Sequence, residues 1–154
     1  MLTSSKNYRI ETDLLGSMEL PANAYHGIQT QRAIDNFKLS RNKLNQYPEL
    51  IKALAYVKSA CAYSNSQLKT LNGEKYKVIS MAANKVVSGD FDECFNIDMI
   101  QGGAGTSSNM NINEVIANIA LESMGFEKGQ YEYMHPNTHV NMSQSTNDVY
   151  PTAV

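Results

Sequence analysis

The chain has 154 residues, of which 42% are hydrophobic and 18% are charged. This composition is typical of one globular domain with a modest core and excludes a disordered or fibrous chain. A formal net charge of −2 at pH 7 excludes the strongly basic surface that binds nucleic acid or acidic membranes. No stretch resembles a signal-peptide core or reaches the length of a membrane span, and the two cysteines match no metal or redox spacing. We therefore expect a cytoplasmic protein in which Cys61 and Cys94 are reduced and buried.

The hydrophobic pattern predicts a mainly helical domain that begins with a small β-hairpin. Short extended runs flank a turn at 15–17, which places the hairpin between Tyr8 and Pro21. Apolar residues at helical spacing then predict a short helix from Ile28 to Phe37.

Three longer helices are predicted from their start and stop signals. The first begins near Pro48, a residue that suits the first turn of a helix, and ends at the Asn-Gly turn 72–73. The second covers 74–89, and the third ends near Gly125. A short helical turn and an extended segment at 90–101 separate them, and the chain beyond the third helix is mostly loop. The predicted inward-facing residues are Leu50, Leu54, Val57, Cys61 and Leu68 in the first helix, Val78, Met81, Ala82 and Val86 in the second, and Val115, Ile116, Ile119, Ala120 and Met124 in the third.

Two stretches concentrate small polar side chains at the start of predicted helices. "GGAGTSSNMN" at 102–111 contains three glycines, three hydroxyls, two amides and no charge, and "SQSTND" at 143–148 is similarly polar. Helix N-termini present unpaired N–H groups and the positive end of the macrodipole, which together favour anions. One such stretch alone is typical of an ordinary helix cap, but two indicate cradles for a ligand with two anionic ends. Neither matches a phosphate-binding loop.

Other charged and metal-ligating residues carry weaker signals. His135 and His139 are four residues apart, but the Pro-Asn pair between them opposes a helix. We therefore interpret them as histidines that brace a loop and not as zinc ligands. Glu11 and Asp13 are interpreted as part of a solvated hairpin face, and Arg32 is either an anchor for a carboxylate or an exposed helical arginine.

Three long segments together resemble the aspartase/fumarase superfamily. They are "RIETDLLGSMELPANAYHGIQTQRAIDNF", "GGAGTSSNMNINEVIANIALE" and "HPNTHVNMSQSTNDVYPTA". The resemblance extends from Arg9 onward, over nearly the whole chain, with the motifs in the order of the family. Within the superfamily, Ser107 and Thr146 resemble the ammonia-lyase branch, because fumarases usually carry Gln and Ser at these positions. The resemblance implies the reversible conversion of L-aspartate into fumarate and ammonia.

The resemblance also implies roles for individual residues. Thr106, Ser145 and Thr146 would bind the β-carboxylate of the substrate, with Ser107 close by. Asn147 would contact its ammonium side. No organic cofactor or metal is implied for the reaction, and a divalent metal would act only as an activator of the parent enzyme.

A secondary anion site is implied in the loop that precedes the second polar stretch. His135 and Asn137 are its candidate residues. Some relatives carry an acidic residue where Thr138 stands here, so this sequence departs from their pattern at that position.

The family resemblance further implies that the sequence is the N-terminal part of a longer polypeptide. Residues 1–150 would form the N-terminal lyase domain, and 151–154 would begin the central helical-bundle domain, since Pro151 favours the first turn of a helix. The family's catalytic base is a serine in a mobile loop beyond this sequence, and the family's active sites are assembled from three subunits of a homotetramer. We therefore expect the 154-residue chain to be inactive by itself.

Two alternatives to an ammonia-lyase stay open from the sequence. One is a fumarase or another lyase of the same superfamily. The other is a helical domain that binds dicarboxylates or mediates assembly without catalysis. In each case the expected ligand is a small molecule, and neither nucleic acid nor a membrane is an expected partner.

Overall fold

The computed structural model describes residues 7–154, which form five α-helices and one two-stranded antiparallel hairpin. The strands are β1 (Tyr8–Asp13) and β2 (Gly16–Pro21), and the helices are α1 (Ile28–Asn36), α2 (Pro48–Gln67), α3 (Gly73–Val87), α4 (Thr106–Ser123) and α5 (Thr146–Ala153). Short 3-10 turns at Leu44–Gln46 and Asp92–Cys94 and a π-turn at Pro136–Val140 complete the connections. The predicted mainly helical fold with an N-terminal hairpin is confirmed. Within the described range, each helix is too short or too polar to cross a bilayer.

The core is built around α4, which is buried on every side from Asn111 to Leu121. Helices α1 and α3 and the π-turn pack against it, while α2 packs against α3 and α5. A helix surrounded in this way must satisfy its polar side chains internally, and α4 carries several of them. These buried polar residues are Ser108, Asn109, Asn111, Asn113, Glu114 and Asn118.

The buried faces of α2 and α3 differ from the predicted ones. Leu68 follows the last residue of α2 and is 73% exposed, while Lys58 and Asn65 within the helix are buried. In α3, Ile79 and Ala83 are buried along with the predicted Ala82 and Val86. Because α2 contacts both α3 and α5, its inner face includes polar positions that hydrophobic periodicity assigns to solvent. The predicted inward-facing Leu50, Val57, Cys61, Val78 and Met81 are half-buried.

Met124 and the two cysteines are less buried than the sequence predicts. Met124 lies beyond the end of α4 and is 36% exposed. Cys61 and Cys94 are free thiols, as expected, but both are half-buried. Each cysteine lies at the margin of the core, where one side of the residue still meets solvent.

The hairpin turns Glu11 and Asp13 inward, so the prediction that they form a solvated face is wrong. Glu11 is 4% exposed, and its Oε2 accepts a hydrogen bond from the backbone N–H of Ile28 at 2.8 Å. Asp13 accepts two hydrogen bonds from Arg32, at 2.8 and 2.9 Å, and this pairing lowers the pKa of Asp13. Arg32 is therefore neither a free anchor nor a simple exposed arginine. Glu11 thus caps the start of α1, whose first N–H groups have no partner within the helix, while Asp13 pairs with a side chain of that helix.

Candidate active site

The first polar stretch forms the N-terminus of α4. The helix begins at Thr106, two turns before the apolar run that predicts it, and Ser108 and Asn109 of those turns are buried with hydrogen-bond partners of their own. Gly105 precedes it in the left-handed conformation, with φ of +79°. The hydroxyls of the stretch therefore stand on the first turn of a long buried helix and not on a loop before it.

Gln101 caps the N-terminus of α4, because Gly105 at the N-cap position has no side chain to do so. Its Oε1 accepts a hydrogen bond from the backbone N–H of Ser108 at 2.9 Å, and its Nε2 donates to Ser108 Oγ at 2.9 Å. Among residues 7–154, the side chains of Thr106 and Ser107 form no hydrogen bond. Because Gln101 performs the capping, these two hydroxyls are available to a ligand at the positive end of the helix.

The second polar stretch forms the N-terminus of α5. Ser145 is the N-cap, and its Oγ accepts a hydrogen bond from the backbone N–H of Asn147 at 3.1 Å. The helix begins at Thr146, so the expectation that a helix starts at Pro151 is wrong. Capping by Ser145 fixes the earlier start, and Pro151 lies inside the helix. The side chains of Ser145 and Asn147 are exposed, and Thr146 is half-buried.

The fold brings the two helix starts side by side. Asn109, on the first turns of α4, donates from Nδ2 to Thr146 Oγ1 at 3.1 Å. A Cβ at Gly105 would overlap the ring of Tyr150 on α5, so the absence of a side chain at Gly105 lets α5 approach. Two stretches that are distant in sequence thus form one polar surface with two helix N-termini.

The individual candidates do not all face one cavity. Thr106 lines a cavity of about 750 Å³ together with His135 and Asn137, and the hairpin tip and Glu114 line it as well. Ser107 faces a second, more open space of about 590 Å³ beside Arg32, Phe37 and the α1 helix. The second stretch lines neither of these two cavities. The structure thus places Thr106 with the proposed secondary anion residues, while Ser145, Thr146 and Asn147 stand on the adjoining surface.

The two histidines brace their loop. His135 Nδ1 accepts hydrogen bonds from the backbone N–H groups of Asn137 and Thr138, at 3.0 and 3.2 Å. His139 Nδ1 accepts from the backbone N–H of His135 at 2.8 Å, and its Nε2 lies 2.8 Å from Lys75 Nζ. Burial lowers the pKa of both histidines, which favours their neutral forms. Over the described part of the chain, no three His, Cys, Asp or Glu side chains converge as metal ligands would.

Lys58 is the main residue of this region that sequence reasoning missed. It is 0% exposed, and its Nζ lies 2.7 Å from Asn109 Oδ1, 2.7 Å from Asn141 Oδ1 and 2.9 Å from Gln144 Oε1. Burial lowers its pKa to about 7. The sequence did contain a signal, because Lys58 continues the apolar spacing of Leu54 along α2, where a lysine is exceptional.

A pH dependence of stability follows from Lys58. The folded chain loses this proton near pH 7, and the unfolded chain near the ordinary value of 10.5, so the unfolded state binds more protons between these values. The free energy of unfolding is therefore expected to rise with pH between about 7 and 10 relative to the variant Lys58→Met. Urea unfolding of both proteins across this range measures the difference, and parallel pH profiles would contradict the expectation.

Comparison with known proteins assigns the chain to a family. The sequence model of a protein family described as lyase matches residues 16–154. The chain belongs to this lyase family. The lyase chain is 62% identical over 146 residues to the aspartate ammonia-lyase of Pseudomonas aeruginosa and 51% identical over 149 residues to that of Escherichia coli. These matches cover 95% and 96% of this chain, but it spans only 31% of the length of each relative.

Solved structures agree with the assignment to the lyases. A fumarate lyase:delta crystallin from Brucella melitensis bound to cobalt superposes with a TM-score of 0.93 and 55% identity, over 95% of this chain and 32% of that one. A class II fumarase from Schistosoma mansoni superposes with a TM-score of 0.87 and 33% identity, over 95% of this chain and 30% of that one. The lyase fold described above is therefore shared with both.

Proposed function

We propose that the protein carrying this chain at full length is an aspartate ammonia-lyase, which converts L-aspartate reversibly into fumarate and ammonia. The observation that carries the proposal is the pair of adjacent helix N-termini, one with the unpaired hydroxyls of Thr106 and Ser107 and the other capped by Ser145. The aspartate ammonia-lyases at 51–62% identity support it. From the family resemblance we also propose that the full-length enzyme is a cytoplasmic homotetramer.

The chemistry of the reaction explains why uncharged donors suit it. The β-proton of aspartate is weakly acidic, and its removal places negative charge on the β-carboxylate. Hydroxyl and amide donors at fixed positions stabilise that charge with little reorganisation, and one donor can contribute about 3 kcal/mol. We assign Thr106, Ser145 and Thr146 to this carboxylate, Ser107 to its vicinity, and Asn147 to the ammonium side.

The assignment requires no metal or organic cofactor for this step, and a divalent metal would serve only as an activator. His135 and Asn137 would bind a second anion in the cavity that they share with Thr106. The base that removes the proton is assigned to a downstream loop. The 154-residue chain by itself is therefore proposed to be inactive.

Turnover by the full-length protein tests the proposal. Fumarate absorbance is followed with L-aspartate and, in parallel, with L-malate. Thr146→Ala is expected to lower kcat/KM for aspartate about a hundredfold, because it removes one donor to the developing carboxylate charge. Thr146→Ser keeps the hydroxyl and is expected to retain most activity, and Ser143→Ala removes an exposed hydroxyl of the same loop as a control.

Each outcome selects one function. Fumarate from malate alone would identify a fumarase and overturn the use of Ser107 and Thr146 as discriminating residues. Turnover of neither substrate, with dicarboxylates still bound, would favour a non-catalytic binding domain.

A further inference from the structure

The buried amine of Lys58 fixes the orientation of the amides around it. Below about pH 7, where Lys58 keeps its proton, its amine only donates hydrogen bonds, and an amide accepts them only through its oxygen. Lys58 donates to Asn109, Asn141 and Gln144, and each must therefore turn its oxygen toward Nζ. The NH₂ groups of the same amides point away from the lysine as a consequence.

The NH₂ group of Asn109 is directed at Thr146. Its Nδ2 lies 3.1 Å from Thr146 Oγ1 and 3.2 Å from Asn141 Oδ1. An amide nitrogen cannot accept a hydrogen bond, so the oxygen of Thr146 accepts here and its own proton stays free for another acceptor. With the amide reversed, Asn109 Oδ1 would take that proton instead.

The NH₂ groups of Asn141 and Gln144 also have acceptors, which fixes the orientation of these two amides. Asn141 donates from Nδ2 to the carbonyl of Gln144 at 3.2 Å, and Gln144 donates from Nε2 to the carbonyls of Val140 and Met142 at 2.9 and 3.1 Å. Every polar atom of the three amides thus has a partner of the matching kind. Reversing one amide would set donors against donors, which a buried network does not tolerate.

We propose that Asn109, held by Lys58, is a positioning residue that turns the Thr146 hydroxyl into a dedicated hydrogen-bond donor for a carboxylate of the substrate. This inference rests on the proposed function, because it assigns that carboxylate to Thr146. A hydroxyl that is already turned toward the developing charge needs no reorganisation when the charge forms. Thr106, in contrast, has no such partner within residues 7–154 and is not directed in this way.

The variant Asn109→Asp removes the orienting hydrogen bond to Thr146, together with the weaker one to Asn141 Oδ1. The substituted carboxylate has the same shape as the amide and still offers an oxygen to Lys58, but it replaces the Nδ2–H donor by a second acceptor. The hydroxyl of Thr146 would then donate to this carboxylate and be lost to the substrate. In the full-length protein, assayed below pH 7 so that Lys58 is protonated, we expect a rise of about tenfold in KM for aspartate and in the inhibition constant of succinate, a dicarboxylate without an amine.

A double-mutant cycle with Thr146→Val separates positioning from a general loss of structure. In the native background, Thr146→Val is expected to raise the succinate constant about tenfold, and in the Asn109→Asp background by less than about twofold. Asn118→Asp is the matched control, because Asn118 is an equally buried amide of α4 whose partners are Gly129, Tyr25 and Tyr131. It is expected to lower the melting temperature while leaving the full effect of Thr146→Val intact.

Additive effects of Asn109→Asp and Thr146→Val would overturn the inference. So would an unchanged succinate constant in Asn109→Asp, provided that the native protein turns over aspartate. A native protein without turnover of aspartate would instead contradict the proposed function, so the two failures are distinguishable.

Discussion

Gly105→Ala is expected to destabilise the protein by about 3 kcal/mol. The left-handed backbone, with φ of +79°, accounts for part of this loss, because a Cβ is disfavoured there. The rest arises because the new Cβ would overlap the ring of Tyr150, and α5 must shift to admit it. Since α5 also carries Thr146, a shift of about 1 Å is expected to lower kcat/KM by about a hundredfold.

The chain offers a matched control for this substitution. Gly125 has φ of +83°, and a Cβ there would meet no atom within 4 Å. Gly125→Ala therefore carries the backbone penalty without the overlap, and we expect it to destabilise by only about 1 kcal/mol with full activity. In a second arm, Tyr150→Ala should relieve part of the Gly105→Ala defect. Equal losses for the two glycine variants in urea unfolding would show that Tyr150 does not set the requirement at Gly105.

Glu114→Ala is expected to destabilise the protein by about 4 kcal/mol. The Glu114 side chain is 1% exposed and accepts hydrogen bonds from the backbone N–H groups of Gly27, Gln29 and Thr30, at 2.8, 2.9 and 3.0 Å. Gly27 has no side chain to cap α1, so a residue of α4 performs the capping. Alanine would leave three donors at the start of α1 without this acceptor, and each unsatisfied buried donor costs about 1–3 kcal/mol.

The variant Glu114→Gln tests whether the capping role of Glu114 requires a carboxylate. Burial raises the pKa of Glu114 to about 7, although the backbone donors favour its charged form. Glutamine keeps one acceptor oxygen and the volume, so we expect about half the loss seen with alanine. Glu122→Ala, on the exposed end of the same helix, removes contacts to Tyr25 and Lys128 and is expected to change stability by less than about 1 kcal/mol. A Glu114→Ala loss as small as that of Glu122→Ala would contradict the capping role.

The sequence predicted those parts of the fold that depend on local signals. The hairpin between Tyr8 and Pro21 and the helix beginning at Pro48 were found from turn residues and apolar spacing, and the structure confirms both. The polar stretches at 102–111 and 143–148 were recognised from composition, and both stand at helix N-termini. Their roles toward a substrate stay a prediction.

The residues that were misjudged are charged groups whose partners are distant in sequence. Glu11 contacts Tyr131, and Lys58 contacts Asn141 and Gln144, over separations of 120, 83 and 86 residues. Hydrophobic periodicity assigns each charged residue to solvent, because it cannot represent a partner that only the folded chain supplies. Asn109 lies in the polar stretch that the sequence singled out, but its contacts to Lys58 and Thr146 could not be predicted from it.

The capping of α1 by α4 also bears on the order in which the chain is completed during synthesis. The N–H of Gly27 donates to the carboxylate of Glu114, 87 residues downstream, and Glu11 accepts a hydrogen bond from the hydroxyl of Tyr131, 120 residues downstream. The hairpin and α1 leave the ribosome before α4, so Gly27 and Glu11 complete these two hydrogen bonds only after α4 and the segment through Tyr131 have emerged. Closing such long loops is slow compared with forming helices, so α2 and α3 can pair while the N-terminus is still undocked. The hairpin and α1, although made before α2 and α3, are therefore expected to reach their final structure after them.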